Sequence, residues 1–456
     1  MVGGQEQHDT FKTYALADAF RSKLVSYQRD GVPFDVDTGL PLPMLRERSR
    51  VSCYELLTRY VAMKWPDSPG NSRRSVADAL KTVAPALIRT DIPHPDEKDL
   101  RAAVYQWTCD PPAQKAGDPP PAIRSALRWL ERHSLPLSEF EHRTRGPALV
   151  RHMLATIGQR LDGRGKVAPV TYARRRAVLF NMFEYAVELG VVSANPLTIV
   201  KVKAVKSSGT IDRRSVVNPE QFRRLIAAVG ELGHDGPSGP LGQRLVAFFA
   251  LMYYAALRPA EAIAFRDACI ISAPAEGIGE LLLERSMPRA GARWNDSGTS
   301  REARELKHRA EDDTREVPAH PDLVHLLRTH IERFGVGRGG RLFVGPQGGD
   351  IEEARYLAIW EAARKEALTP AEVASPLAKR PYDLRHAAVS TWLNAGVPPT
   401  QVAAWAGHSL EVLLRVYAKC IVGQDEEARR RLGNAFGTPD LSVAPPESEP
   451  DQPEEG

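Results

Sequence analysis

Four basic residues and one tyrosine in the C-terminal half of this chain sit in contexts that chemistry, more than packing, would explain. Arg258 lies in AALRPAEAIAFR. Pro259 disfavours helical backbone for the residue before it, so Arg258 is expected at the break ahead of a new helix. The segment RPYDLRHAAVSTWLNAGV places Tyr382, Arg385 and His386 at the start of an amphipathic helix ending near Gly396. Arg385 follows the apolar Leu384, a setting for a buried guanidinium that needs an anion. In PTQVAAWAGHSLEVLLRVYAKC, Val402, Ala403 and Ala406 make a short helix and Gly407 breaks it. His408 falls in the turn and Ser409 can cap the next helix. Tyr417 lies on that helix, nine residues after His408 and 32 after Arg385. Taken singly, each has a plainer reading: a solvated helix-start arginine, a structural salt bridge, a core tyrosine.

In this order, LRPAE, PYDLRHAAVS, WAGHS and VYAKC resemble the catalytic domain of the tyrosine recombinases, the phage-integrase family. The resemblance covers about 218–425 and is closest over its last 45 residues. It implies a site-specific recombinase that cuts and rejoins DNA through a 3′-phosphotyrosyl bond to Tyr417, freeing a 5′-hydroxyl. Arg258 and Arg385 would give bidentate donors to the non-bridging oxygens of the crowded phosphorus. His408 would hydrogen-bond the same phosphate or help move a proton. A phenol with an ordinary pKa near 10 needs such a cationic pocket to act as a nucleophile. The family protonates the leaving oxygen from a lysine in a small sheet, which Lys307 in ELKHRAEDDTREVP matches; Lys365 and Lys379 stand outside that context. One position departs from the family pattern. Tyr382 stands where the family's H-x-L-R-H begins with histidine, and is expected to serve as a secondary phosphate ligand, with His386 a packing or supporting group. The bond energy is kept in the linkage, so the resemblance implies no cofactor, neither ATP nor metal. It also implies a homotetramer on two DNA duplexes bearing specific attachment sites, an accessory directionality factor as a further partner, and a mobile element as the setting. A segment beyond Tyr417, CIVGQDEEARRRLGNAFG, would dock on a neighbouring subunit.

The elements that must position these groups divide the chain. Residues 1–45 show little periodicity. Residues 46–203 read as helical: YELLTRYVAMKW, SVADALKTVAPALI, PAIRSALRWLERH and VTYARRRAVLFNMFEYAVELG all space apolar residues as helices do. In the last, Leu179, Met182, Phe183 and Ala186 form one stripe, Thr171 can cap the start and Gly190 can end it. This region looks like the family's helical core-binding domain. Residues 204–217 read as a basic interdomain linker, and 218–436 as the catalytic domain opening at Asn218-Pro219-Glu220, with Asn218 as cap. GQRLVAFFALMYYAA is a buried helix that carries Tyr253 and Tyr254 as core. Strand-like runs at 279–286, 301–308 and 314–321 flank a polar insert at 287–303. The expected fold is mainly α, a helical core-binding domain plus a mixed catalytic domain with a small antiparallel β-sheet. Arg174, Arg175 and Arg176, with Lys201, Lys203 and Lys206 of the linker region, read either as solvated faces or as phosphate contacts that position DNA without reading sequence.

The whole chain fits this division. Its 456 residues exceed one ordinary core, favouring two or three domains. Residues 437–456 carry six acids and no Lys or Arg, and read as a disordered tail. Without them a net charge of +4 becomes +10, which suits a polyanionic partner. The four cysteines are far apart and match no zinc-ligand spacing. No apolar run could span a bilayer and the start lacks a secretory pattern, so a cytoplasmic location is expected. Two other readings stay open: a catalytically inert DNA-binding relative marked by Tyr382, and a type IB topoisomerase that relaxes DNA without site preference.

Overall fold

The computed structural model describes residues 11, 13–36, 39–44, 51–201, 211–233, 235–236, 239–307, 313–345, 348–417, 429–430 and 432–435. The linker lysines Lys203 and Lys206, the segment 418–428 and the acidic tail lie outside the described residues. The chain forms two compact units, Met1–Ser208 with Pro288–Glu302, and Gly209–Met287 with Ala303–Gly456.

The first unit is helical. Helix α1 (Tyr14–Arg29) starts at a Thr13 cap and buries none of its residues; the low periodicity of its sequence hid it. Helices α2 (Cys53–Lys64), α3 (Gly70–Val83), α4 (Glu97–Ala103), α5 (Pro121–His133), α6 (Arg145–Gly158) and α7 (Pro169–Glu188) surround a common core. The stripe on α7 is fully inward: Leu179, Met182, Phe183 and Ala186 have no exposed surface. Gly190 takes φ +69° just beyond its end, as expected. Its start differs from expectation. Ala168 is the cap position and Pro169 the first helical residue, so Thr171 lies inside the helix. Proline's fixed φ sets the boundary earlier than the hydroxyl would.

The polar insert of the second half belongs to this first core. Trp294 is 4% exposed, with ring centroids 5.3 Å from Tyr105 and 6.2 Å from Trp65. Arg73, buried beneath it, donates to the Trp294 carbonyl at 3.1 Å and forks onto Asp296 at 2.7 and 2.9 Å. At Gly70, a Cβ would come within 2.4 Å of the Asn295 side-chain oxygen, so only glycine lets the insert close on α3.

The second unit is mainly helical with a small sheet. Helix α8 (Pro219–Glu231) opens with the capping box of Asn218 and Gln221. Helix α9 (Leu241–Tyr254) is its buried centre, followed by α10 (Pro259–Ala264). Strands β1 (Ile270–Ser272), β2 (Gly279–Leu283) and a later strand form the antiparallel sheet. A hairpin of β3 (Arg285–Ser286) and β4 (Arg304–Glu305) brackets the insert, and β5 (Arg315–Ala319) pairs with β2 in the register Leu281↔Val317 and Leu283↔Arg315. Helices α11 (Pro321–Phe334), α12 (Glu353–Ala367), α13 (Tyr382–Asn394), α14 (Pro399–Ala406) and α15 (Leu410–Tyr417) complete it. Tyr253 is core at 7% exposed, while Tyr254 is half-buried and donates to Asp322 at 3.0 Å. No helix among the described residues is long and apolar enough to cross a membrane.

Candidate active site

Chain breaks between helices place the basic groups. Arg258 caps α10 in extended conformation (φ −72°, ψ 150°), as Pro259 requires. Two residues earlier Ala256 holds φ +52°, costly for a residue with a Cβ, and is kept there by complete burial. Gly407 ends α14 in the left-handed region (φ 62°, ψ 50°), and the Ser409 hydroxyl accepts from the Val412 N–H at 3.2 Å to start α15. These two turns present the carbonyls of Ala256, Ala406 and Gly407 to the arginines.

Arg385 has no exposed surface. It donates to the carbonyls of Ala256 and Ala406, and through Nη2 to His408 Nε2 at 2.9 Å. Arg258 donates through Nη2 to the Gly407 carbonyl at 2.8 Å and through Nη1 to Glu261 at 2.7 Å. Glu261, 1% exposed, also accepts the Arg258 backbone N–H at 2.8 Å and receives Arg315 bidentately at 3.0 and 2.7 Å. Burial alone would raise the Glu261 pKa; Arg315 and then Arg258 outweigh it and hold the carboxyl at about 2. The same burial, with Arg258 nearby, lowers Arg385 to about 10, so it stays cationic near neutral pH. Three guanidinium groups thus face one carboxylate.

Arg385 and His408 each keep one donor unused. A guanidinium can only donate, so His408 Nε2 is the acceptor and its proton must sit on Nδ1. Burial, followed by Arg385, pushes His408 down to about 3, which keeps it in that neutral form. His408 Nδ1 and Arg385 Nε are both buried without a hydrogen-bond partner among the described residues. An unmet buried donor costs roughly 1–3 kcal/mol, more when charged, which makes these two donors candidates to bind an anionic oxygen.

Tyr417 closes α15 at 1% exposure, its ring centroid 5.9 Å from His408. Its hydroxyl lies 2.8 Å from His386 Nδ1. His386 is therefore in direct contact with the tyrosine. Burial, then Arg385 and Arg380, lowers its pKa to about 4. Tyr382 packs edge-on against His386 (centroids 5.1 Å, 72°), and among the described residues no hydrogen bond of its hydroxyl joins it to the cluster.

Other sequence candidates stand apart. Lys307 is exposed just after β4, and no hydrogen bond or ion pair among the described residues links it to the arginines. Arg175 is not a surface contact: 6% exposed, it pairs with Asp78 at 3.1 Å and donates to the Ile157 carbonyl at 3.1 Å. Its position on the inner face of α7 turns it inward, whereas Arg174 is exposed and Arg176 half-buried. Lys201 is exposed. The sequence reading passed over Glu261 and Arg315. Both had signals: Glu261 occupies the third helical position after its cap, and Arg315 alternates with the inward Val317 and Ala319.

No family model matches the chain, and no curated protein matches it. Among solved structures it is similar to the Tn1549 transposon integrase in complex with a circular intermediate DNA, at 14% identity over 73% of this chain and 98% of that one, with a TM-score of 0.46. It is similar to the XerH site-specific recombinase in its post-cleavage complex at 12% identity, over 82% of this chain and 98% of that one, with a TM-score of 0.45. The lambda integrase (residues 75–356) bound to DNA gives 13% identity, 75% and 93% coverage and a TM-score of 0.39.

Proposed function

We propose that this chain is a tyrosine-type site-specific DNA recombinase, which cleaves and rejoins DNA through a 3′-phosphotyrosyl bond to Tyr417. One observation carries the reading. Arg258, Arg385 and His408 converge beside Tyr417, with the unused buried donors Arg385 Nε and His408 Nδ1 awaiting an oxyanion. A phosphodiester brings two non-bridging oxygens, and charge grows on them as the phenol attacks. Donors already fixed by the Ala256, Ala406 and Gly407 carbonyls stabilise that charge without reorganising. Tyr417 Oη forms the new bond to phosphorus, the bond to the 5′-oxygen breaks, and that oxygen leaves with a proton. Because Tyr417 is buried, the phosphate must enter the cluster or α15 must move before attack.

The finer assignments follow from the motif order. Lys307 supplies the leaving-group proton, which requires its strand end to approach bound DNA. Tyr382 adds a phosphate hydrogen bond. Arg174 and Lys201, with Lys203 and Lys206, hold backbone phosphates, and their loss weakens binding to all sequences alike. The working assembly is a homotetramer on two duplexes, serving integration or excision of a mobile element.

The test is covalent trapping. Nicked duplexes tiled across the DNA flanking the coding sequence are incubated with the protein and resolved under denaturing conditions. An adduct that disappears in Tyr417→Phe is expected. Specific retention of the same DNA in a native gel with no adduct would instead identify an inert binding protein. Relaxation of any supercoiled DNA without site preference would identify a topoisomerase.

A further inference from the structure

Resting on that reading, we infer that His386 is the proton acceptor for Tyr417. The hydroxyl lies 2.8 Å from His386 Nδ1, the only nitrogen of the two histidines beside Tyr417 that is hydrogen-bonded to its hydroxyl among the described residues. The other candidate, His408, has its Nε2 occupied by Arg385 and its proton on Nδ1, so it offers a donor and no base. Tyr382 cannot substitute, since a phenol is no base near neutral pH. Residues 382 and 386 are one helical turn apart on α13 and share a face, so both side chains lie on the same side of that helix. The edge-on Tyr382 ring fixes the imidazole plane with Nδ1 toward Tyr417.

The charges around His386 suit the task. Burial, then the charges of Arg385 and Arg380, keep it unprotonated at neutral pH, and the rings of Tyr382 and Tyr417 and the neutral His408 complete its surroundings. An incoming phosphate offsets the repulsion from Arg385, so the imidazole becomes more basic as attack begins. The phenolic proton passes to Nδ1 while Oη bonds to phosphorus. The bond to the 5′-oxygen breaks, and that oxygen takes a proton from the Lys307 ammonium or from water. On rejoining, the 5′-hydroxyl attacks phosphorus and the His386 imidazolium returns its proton to the departing Oη.

The experiment measures adduct formation on the nicked duplex that traps the wild type, for His386→Ala and His386→Gln. Each is run with oxygen and with sulfur at the 5′ bridging position. Loss of a general base costs about 10²–10⁴-fold, so both variants should slow by at least 10²-fold. Sulfur needs no proton to leave, so it rescues a missing acid and should leave these variants slow. Added imidazole should restore part of the His386→Ala rate, which a misfolded protein could not show. Three results overturn the inference: rates within threefold of wild type, full recovery on the sulfur substrate, or a His386→Gln rate equal to wild type. If the wild type itself forms no adduct, the recombinase reading falls first and this one with it.

Discussion

Glu261 holds two arginines in place, and its removal should be felt twice. Arg315 is 2% exposed and its bidentate partner is Glu261, so Glu261→Gln leaves a buried cation uncompensated. Breaking a buried pair from one side costs on the order of 3–5 kcal/mol. Chemical denaturation should show a loss of that size, and trapping should show slower cleavage as Arg258 loses its anchor. An unchanged unfolding midpoint would mean that a neutral amide at this position accepts both guanidinium groups as well as the carboxylate does. The titrating groups also set a pH dependence. His386 and His408 titrate near 4 and 3 when folded, below the 6.5 of an unperturbed histidine. Between those values the unfolded chain binds protons that the folded chain does not, so stability rises with pH. It should be fully present above about 6.5 and decline as pH falls toward 4. Glu261, at about 2 against 4.5, adds a second decline between those values. Urea unfolding at pH 7, 5.5 and 4.5 should show the first decline, and the His386→Gln, His408→Gln double variant should flatten it.

At the scale of elements, the site depends on where helices stop. Gly407 ends α14 with left-handed backbone, and a Cβ there would meet Arg315 Nη1 at 2.5 Å and Arg258 Nη1 at 3.4 Å. The Arg315 guanidinium is pinned by Glu261 and cannot yield cheaply. Gly407→Ala should therefore cost roughly 1–2 kcal/mol from backbone conformation alone. It should also lower the cleavage rate by displacing the arginine pair. A variant that loses stability and keeps its full rate would show that the turn shapes the fold without positioning Arg258.

At the scale of the molecule, the insert binds sequence-distant parts of one core. Trp294 and Ala290 are buried in the first unit, more than 180 residues beyond α3, and Arg73 reaches both the Trp294 carbonyl and Asp296. A fragment ending near residue 203 would expose the surfaces of Trp65 and Tyr105 that Trp294 covers. Trp294→Ala in the full chain should destabilise the first unit by about 3–5 kcal/mol, the usual cost of a buried aromatic. Hydrogen exchange resolved by peptide should show faster exchange in α3 and α4, with α9 little changed. Equal protection throughout would mean that the insert only rests on that core.

Local sequence determined the helices, most of their caps and the order of the candidate site residues. Proline after Arg258, glycine after α14 and the apolar stripe of α7 act within a few residues, and each does in the structure what its chemistry dictates. Thr171 shows the limit even there, since two local signals competed and proline's fixed φ prevailed. Tertiary structure decided what depends on distance across the chain. Arg175 and Arg174 are neighbours in sequence, yet one is internal and one exposed, because the register of α7 against Asp78 settles which way each points. His386 and Tyr417 meet across 31 residues through the packing of α13 against α15. Glu261 and Arg315 meet across 54, and Arg73 and Asp296 across 223. Those pairings arise from burial, which joins whichever polar groups the core leaves without water, and no local pattern encodes it.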